Sequence, residues 1–271
     1  MKYNYLALDV DGTLVDSQKI ISEKNKAAIQ KANIAGVKII LTSGRPTIGI
    51  QSIAAELQFP WYGGYILAYN GGEIIDSKAG NIIDKRTIPM EYVEDICSFG
   101  KMFSCSVLTY DENGIVTENE NDPYVLMEAY NNSIPIHGVV DLSKRIVAPV
   151  AKFMLVGKED KLQFAYHYLQ KRYFNKLNVF FSEPYFLEIM PLGIEKASGL
   201  HKLLMYLNGK PEELLVCGDG LNDISMFQYA GFAVAMENAC CETKKYADYV
   251  TVSNDNDGVA VAVEKFVLEG V

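Results

Sequence analysis

Two aspartates stand two positions apart, Asp9 and Asp11, directly after a short apolar run in YNYLALDVDGTLV. Two more, Asp219 and Asp223, fall four apart in GDGLND, again after an apolar run. Carboxylates brought to one place repel one another unless a cation or shared protons offset the charge. An oxygen-only donor set without His or Cys favours Mg²⁺, an ion that commonly shares its shell with phosphate oxygens. A phosphate also needs donors. Lys196 in PLGIEKASGL supplies a cation at the entry to a helix. Ser43 and Gly44 in TSGRP, the backbone at Gly12, and the amide of Asn222 add neutral groups at loop-to-helix turns. The chemistry these residue types point to is metal-assisted work on a phosphate.

Each piece by itself has a plainer meaning. Asp-x-Asp-Gly and Gly-Asp-Gly are common turns, Asn222 or Asp223 could cap a helix, and Lys196 could be a solvated surface charge. The elements around them favour convergence. Apolar runs YLALD, KIILT and LLVC, with helical stretches between, read as strands buried on both faces of a parallel sheet. Ligands bind beyond the carboxyl ends of such strands, and all three runs end in the residues just named. SEKNKAAIQKANIAG reads as a helix that starts at a serine N-cap, Ser22, and stops at Gly36.

The middle of the chain differs. MEYVEDICSFGKMF is helical in pattern, and SVLTYDENGIVTEN reads as a hairpin with Asn113-Gly114 in its turn. KFMLVG, EDKLQFAYHYLQKRYF and NVFFSEPYFLEIM follow as a strand, a helix and two strands joined at Glu183-Pro184. The expected fold class is therefore α/β, a Rossmann-like doubly wound parallel sheet core, formed by residues 1–83 and 189–271. An α+β domain over 84–188 is inserted into it. Trp61 in FPWYGGY is expected to pack between strands.

Composition narrows the function classes. The 271 residues carry 25 Lys+Arg against 34 Asp+Glu, a net charge of −9, which disfavours nucleic acid and anionic membrane surfaces. No apolar run reaches the roughly 18–20 residues of a membrane span, and the N-terminus lacks a signal pattern, so a cytoplasmic location is expected. The five cysteines, Cys97, Cys105, Cys217, Cys240 and Cys241, form no C-x-x-C, and the three histidines are scattered. Neither a disulfide framework nor a zinc site is supported.

Taken in order, DVDGTL, TSGRP, NGGEI, GIEK, GDGLNDISM, VAMENA and DNDGVA resemble the motifs of the haloacid dehalogenase (HAD) superfamily phosphatases, Cof-like subfamily, with a type IIB cap. The resemblance spans both core segments; the cap matches in size and position. It implies that Asp9 is the nucleophile and Asp11 the proton shuttle. Mg²⁺ would be held by Asp9, the Asp11 backbone carbonyl and Asp219, with Asp223 near. Ser43, Gly44, Lys196 and Asn222 would hold the phosphoryl group, and Arg45, Asn70 and Glu188 are candidates for pocket contacts. The substrate expected is a small phosphorylated metabolite, foremost a sugar phosphate. A phosphotransferase or mutase of the same superfamily, or a non-catalytic phosphate-binding regulator, are the alternatives. About 30 residues separate Asp11 from Ser43 and about 150 separate Ser43 from Lys196. The larger interval leaves room for the insert and disfavours relatives capped after the first motif.

Overall fold

In the computed structural model, residues 3–268 are described. The chain forms β1 (Tyr5–Asp9), β2 (Lys38–Thr42), β3 (Tyr65–Ala68), β4 (Glu73–Asp76) and β5 (Asn81–Lys85). It then builds β6 (Ser106–Asp111), β7 (Gly114–Thr117), β8 (Ile136–Gly138), β9 (Phe153–Val156), β10 (Leu177–Glu183) and β11 (Phe186–Pro191). It ends with β12 (Leu214–Gly218), β13 (Phe232–Ala235) and β14 (Tyr249–Val250). Two sheets result, in the orders β14-β13-β12-β1-β2-β3-β4-β5 and β10-β11-β9-β6-β7-β8.

Among the described residues the first compact unit comprises 3–44, Ile50–Asp84 and 195–268. Its strands β14 to β3 are parallel, and the order reverses at the β12–β1 pair, where Leu8 sits opposite Cys217 and, on the other side, Asp9 opposite Thr42. β1 and β12 are buried along their whole lengths, as a sheet covered on both faces requires. Helix Glu23–Ile34 begins at Ser22, whose Oγ accepts from the Asn25 amide at 3.1 Å. Gly36, at φ 97°, lies just beyond its end. The sheet is mixed rather than wholly parallel. β4 runs antiparallel to β3, because Tyr69, Asn70 and Gly71 adopt left-handed φ angles of 52°, 54° and 90° and fold the strand back.

The second unit comprises Arg45–Gly49 and Lys85–Ile194. A boundary at 188 would cut β11, which is paired with β10 as far as Pro191, and the division falls after that strand instead. One sheet face carries an apolar core of Phe153, Leu155, Leu187 and Ile189 against helices Val93–Phe103 and Glu159–Arg172. The same unit buries a polar group. The Lys152 Nζ lies 3.3 Å from Glu188, and Tyr110 and Asn132 donate to the Glu128 carboxylate at 2.5 and 2.8 Å. Burial pushes the Glu128 carboxyl above its ordinary value, with Lys152 acting in opposition.

Two local expectations need correction. In the β6–β7 hairpin Asp111 pairs with Gly114, so the turn residues are Glu112 and Asn113 and Gly114 already opens the returning strand. Trp61 does not pack between strands: it lies in the short helix Phe59–Tyr62 and is 78% exposed, while Phe59 takes the buried position.

Candidate functional site

The register of β12-β1-β2 brings the three predicted strand ends side by side. Asp9 is the last residue of β1 and is buried. Lys196, the first residue of helix Lys196–Leu207, is fully buried; its ammonium bonds the Asp9 carboxylate and also Asp223 Oδ1 at 2.5 Å. The other Asp223 oxygen accepts from the backbone N–H groups of Asp219 and Gly220, each at 2.8 Å. Both Asp223 oxygens are thus engaged, and the residue shapes the loop that carries Asp219. That loop is tied down again by the Thr243 hydroxyl, which donates to the Gly220 carbonyl at 3.0 Å.

Asp9, Asp219 and Asp223 each offer an oxygen within 4.8 Å of the others. The Asp11 side chain is outside that cluster and pairs with Lys19 at 2.6 Å. Burial raises the Asp9 carboxyl well above the ordinary range, against the lowering effect of Lys196. Burial likewise pushes Asp219 up to about 6, with a hydrogen bond from Thr13 working the other way. For Lys196 burial favours loss of the proton, but the Asp223 and Asp9 carboxylates outweigh it and hold the ammonium charged.

Ser43 and Gly44 follow β2; the Ser43 N–H bonds the Leu67 carbonyl at 3.0 Å and its carbonyl accepts from Asn70 at 2.8 Å. Asn222 donates from its Nδ2 to Asn70 Oδ1 at 3.1 Å. Asn70, expected only as a pocket contact, therefore joins the strand-end group. Arg45 and Glu188 belong to the second unit. There the Arg45 guanidinium donates to the Gly49 carbonyl at 3.4 Å, and Glu188 pairs with Lys152.

Three contributors carried no assigned role in the sequence reading. Thr13 donates to Asp219 Oδ1 at 2.8 Å, Asn238 donates to the Gly12 carbonyl at 2.7 Å, and Lys19 pairs with Asp11. Thr13 and Asn238 lie inside DVDGTL and VAMENA, so the motifs contained the signal although the partners were out of reach. Gly12, at φ 78°, is required here: a Cβ would collide with the Asp219 carboxylate.

The class of protein follows from comparison with known chains. Residues 6–263 match the family of haloacid dehalogenase-like hydrolases, and the chain belongs to it. It is a HAD-type phosphatase, with full-length relatives that carry that activity in their names. A haloacid dehalogenase-like hydrolase from Bacteroides thetaiotaomicron is 45% identical, with a TM-score of 0.95 over 97% of this chain and 99% of that one. A HAD subclass IIB sugar phosphatase of known structure is 26% identical, with a TM-score of 0.82 over 97% and 98% of the two chains. The 5-amino-6-(5-phospho-D-ribitylamino)uracil phosphatase YcsE of Bacillus subtilis (strain 168) is 28% identical over 267 residues, 97% of this chain and 95% of its own. Among the described residues no helix is long and apolar enough to cross a membrane.

Proposed function

We propose that the chain hydrolyses small phosphorylated metabolites, sugar phosphates foremost, through an aspartyl-phosphate on Asp9 with Mg²⁺ as cofactor. The observation that carries this reading is the buried Asp9 carboxylate, held by the buried ammonium of Lys196 beside Asp219. A phosphatase of ribitylamino phosphate and a sugar phosphatase among the relatives support the substrate class.

The residues present fit a hard divalent cation. The donors are oxygens, and Gly12 leaves space against Asp219 that a side chain would fill. Lys196 offsets one of the three charges of Asp9, Asp219 and Asp223, and a divalent ion matches the remaining two. Asp9, Asp219 and the Asp11 carbonyl would hold the ion, with Asp223 acting through the Asp219–Gly220 loop. When bound, Mg²⁺ supplies charge stabilisation to the phosphoryl oxygens.

In the first step an Asp9 oxygen attacks phosphorus in line while the bond to the leaving oxygen breaks, and Asp11 gives that oxygen its proton. In the second, Asp11 takes a proton from water, the water oxygen attacks phosphorus, and the Asp9–phosphorus bond breaks. Inorganic phosphate leaves and Asp9 is regenerated. The Ser43 hydroxyl, the Gly44 N–H, the Lys196 ammonium and the Asn222 amide hold the phosphoryl oxygens as charge shifts between them. Two displacements through a carboxylate need neither a Ser-His-Asp set nor a catalytic thiol. Burial pushes the Cys217 thiol in β12 up to about 12, which suits a packing role.

The test is phosphate release from a panel of phosphorylated metabolites, with Mg²⁺ and with EDTA. EDTA is expected to abolish turnover; full activity in EDTA would overturn the metal assignment. Calorimetry reads the same site without turnover. Protons and Mg²⁺ compete for Asp219, so Mg²⁺ affinity should fall as the pH drops below about 6. Asp219→Asn should remove Mg²⁺ binding altogether. In the same panel Glu188→Gln and Arg45→Ala should change the ranking among leaving groups. A product assay with an added sugar acceptor separates hydrolysis from phosphoryl transfer.

A further inference from the structure

The turn after β3 is the most conformationally demanding segment of the first unit. Tyr69, Asn70 and Gly71 are left-handed in succession, a conformation that strains a bulky residue such as tyrosine. What holds the turn is contact with three separate parts of the strand-end group. The Asn70 N–H bonds the Ser43 carbonyl at 2.8 Å. Gly71 lies on the first turn of helix Lys196–Leu207, where a Cβ would come within 3.0 Å of the Gly199 Cα and 3.1 Å of the Glu195 carbonyl. The Asn70 side chain sits between Gly44, whose Cβ would lie 3.3 Å from its Nδ2, and Asn222, whose amide it accepts at 3.1 Å.

We propose that Asn70 is a positioning residue for phosphoryl binding. Its Oδ1 fixes the rotamer of Asn222, so that the second Nδ2 hydrogen of Asn222 is aimed at a phosphoryl oxygen. Asn222 is itself exposed, in the middle of the short 3₁₀ turn Leu221–Asp223, and its amide would otherwise sample several rotamers. Asn70 thus acts through Asn222 and does not touch the phosphoryl group. The inference rests on the proposed function in one respect, that Asn222 binds the phosphoryl group.

A double-mutant cycle on inhibition by inorganic phosphate tests it, with Asn70→Gly, Asn222→Ala and both together. Glycine accepts φ 54° without strain, so Asn70→Gly removes the amide while relaxing the turn, and its melting temperature should not fall. Each single variant is expected to weaken phosphate inhibition about fivefold, the worth of one hydrogen bond. The double variant should be no weaker than Asn222→Ala alone. Effects that multiply would overturn the proposal, because Asn70 would then contribute on its own. A normal inhibition constant in Asn70→Gly beside a weakened one in Asn222→Ala would overturn it as well. If Asn222→Ala itself leaves phosphate inhibition unchanged, the assignment of Asn222 to the phosphoryl group fails instead.

Discussion

Asp9→Asn is expected to lower kcat by at least about 10⁴-fold while the protein melts at or above the wild-type temperature. The two halves of that expectation have one cause. Asp9 is buried at the end of β1, and burial raises its carboxyl well above the ordinary range even with Lys196 beside it. A carboxyl whose folded pKa is raised costs stability once the pH exceeds its unfolded value, because folding must then take up a proton or, above the folded value, bury the charge. Asparagine keeps the shape, drops that cost, and leaves Lys196 its bond to Asp223. It cannot form an acyl phosphate. Steady-state assays with Mg²⁺ and a thermal melt at pH 7.5 in EDTA measure both halves. Residual activity near wild type would remove Asp9 from the chemistry. A large fall in melting temperature would mean that the ionised pair stabilises the fold.

The second large effect is expected at Lys196. Lys196→Met removes the one ammonium bonded to both Asp9 and Asp223, leaving buried carboxylates to repel one another. Breaking such a pair from one side costs about 3–5 kcal/mol. The same change strips a positive donor from the proposed phosphoryl site, with an expected loss of about 10²–10³ in kcat. Lys196→Arg should rescue neither, since the side chain is wholly enclosed and a planar guanidinium does not replace a compact ammonium. Denaturant melts with and without Mg²⁺ separate the contributions: the ion should recover part of the lost stability, because it binds the folded state alone. Unchanged stability in EDTA would contradict the buried triad of Asp9, Lys196 and Asp223.

Much of this site was legible because its parts are local. Asp9, Ser43 and Asp219 each follow a short apolar run, and the rule that ligands gather at strand ends turned three separate motifs into one place. Lys196 was legible as a helix entry with a charge, though not as a fully enclosed side chain. What stayed hidden depended on distant partners. Thr13 bonds Asp219 and Asn238 bonds Gly12 across more than 200 residues, and no periodicity encodes such a pairing. Asp223 is legible by its type as a carboxylate near the ion, but its bonds to Lys196 and to the Asp219–Gly220 backbone are not. The β3–β4 reversal is not legible because NGG fits a phosphatase motif as well as a turn, and the left-handed Tyr69 before it carries no turn signal. Trp61 was misplaced because FPWYGGY has no period to say which aromatic goes inside, and Phe59 does.

Two in-line displacements through Asp9 make a claim about stereochemistry that needs no accumulated intermediate. Each displacement inverts configuration at phosphorus, so hydrolysis by way of an aspartyl-phosphate retains it. The direct measurement is turnover of a phosphomonoester made chiral with oxygen isotopes, with transfer to an alcohol acceptor so that the configuration of the product can be read. Net retention is the predicted result. Net inversion would mean a single direct attack on the substrate, and would contradict Asp9 as the nucleophile.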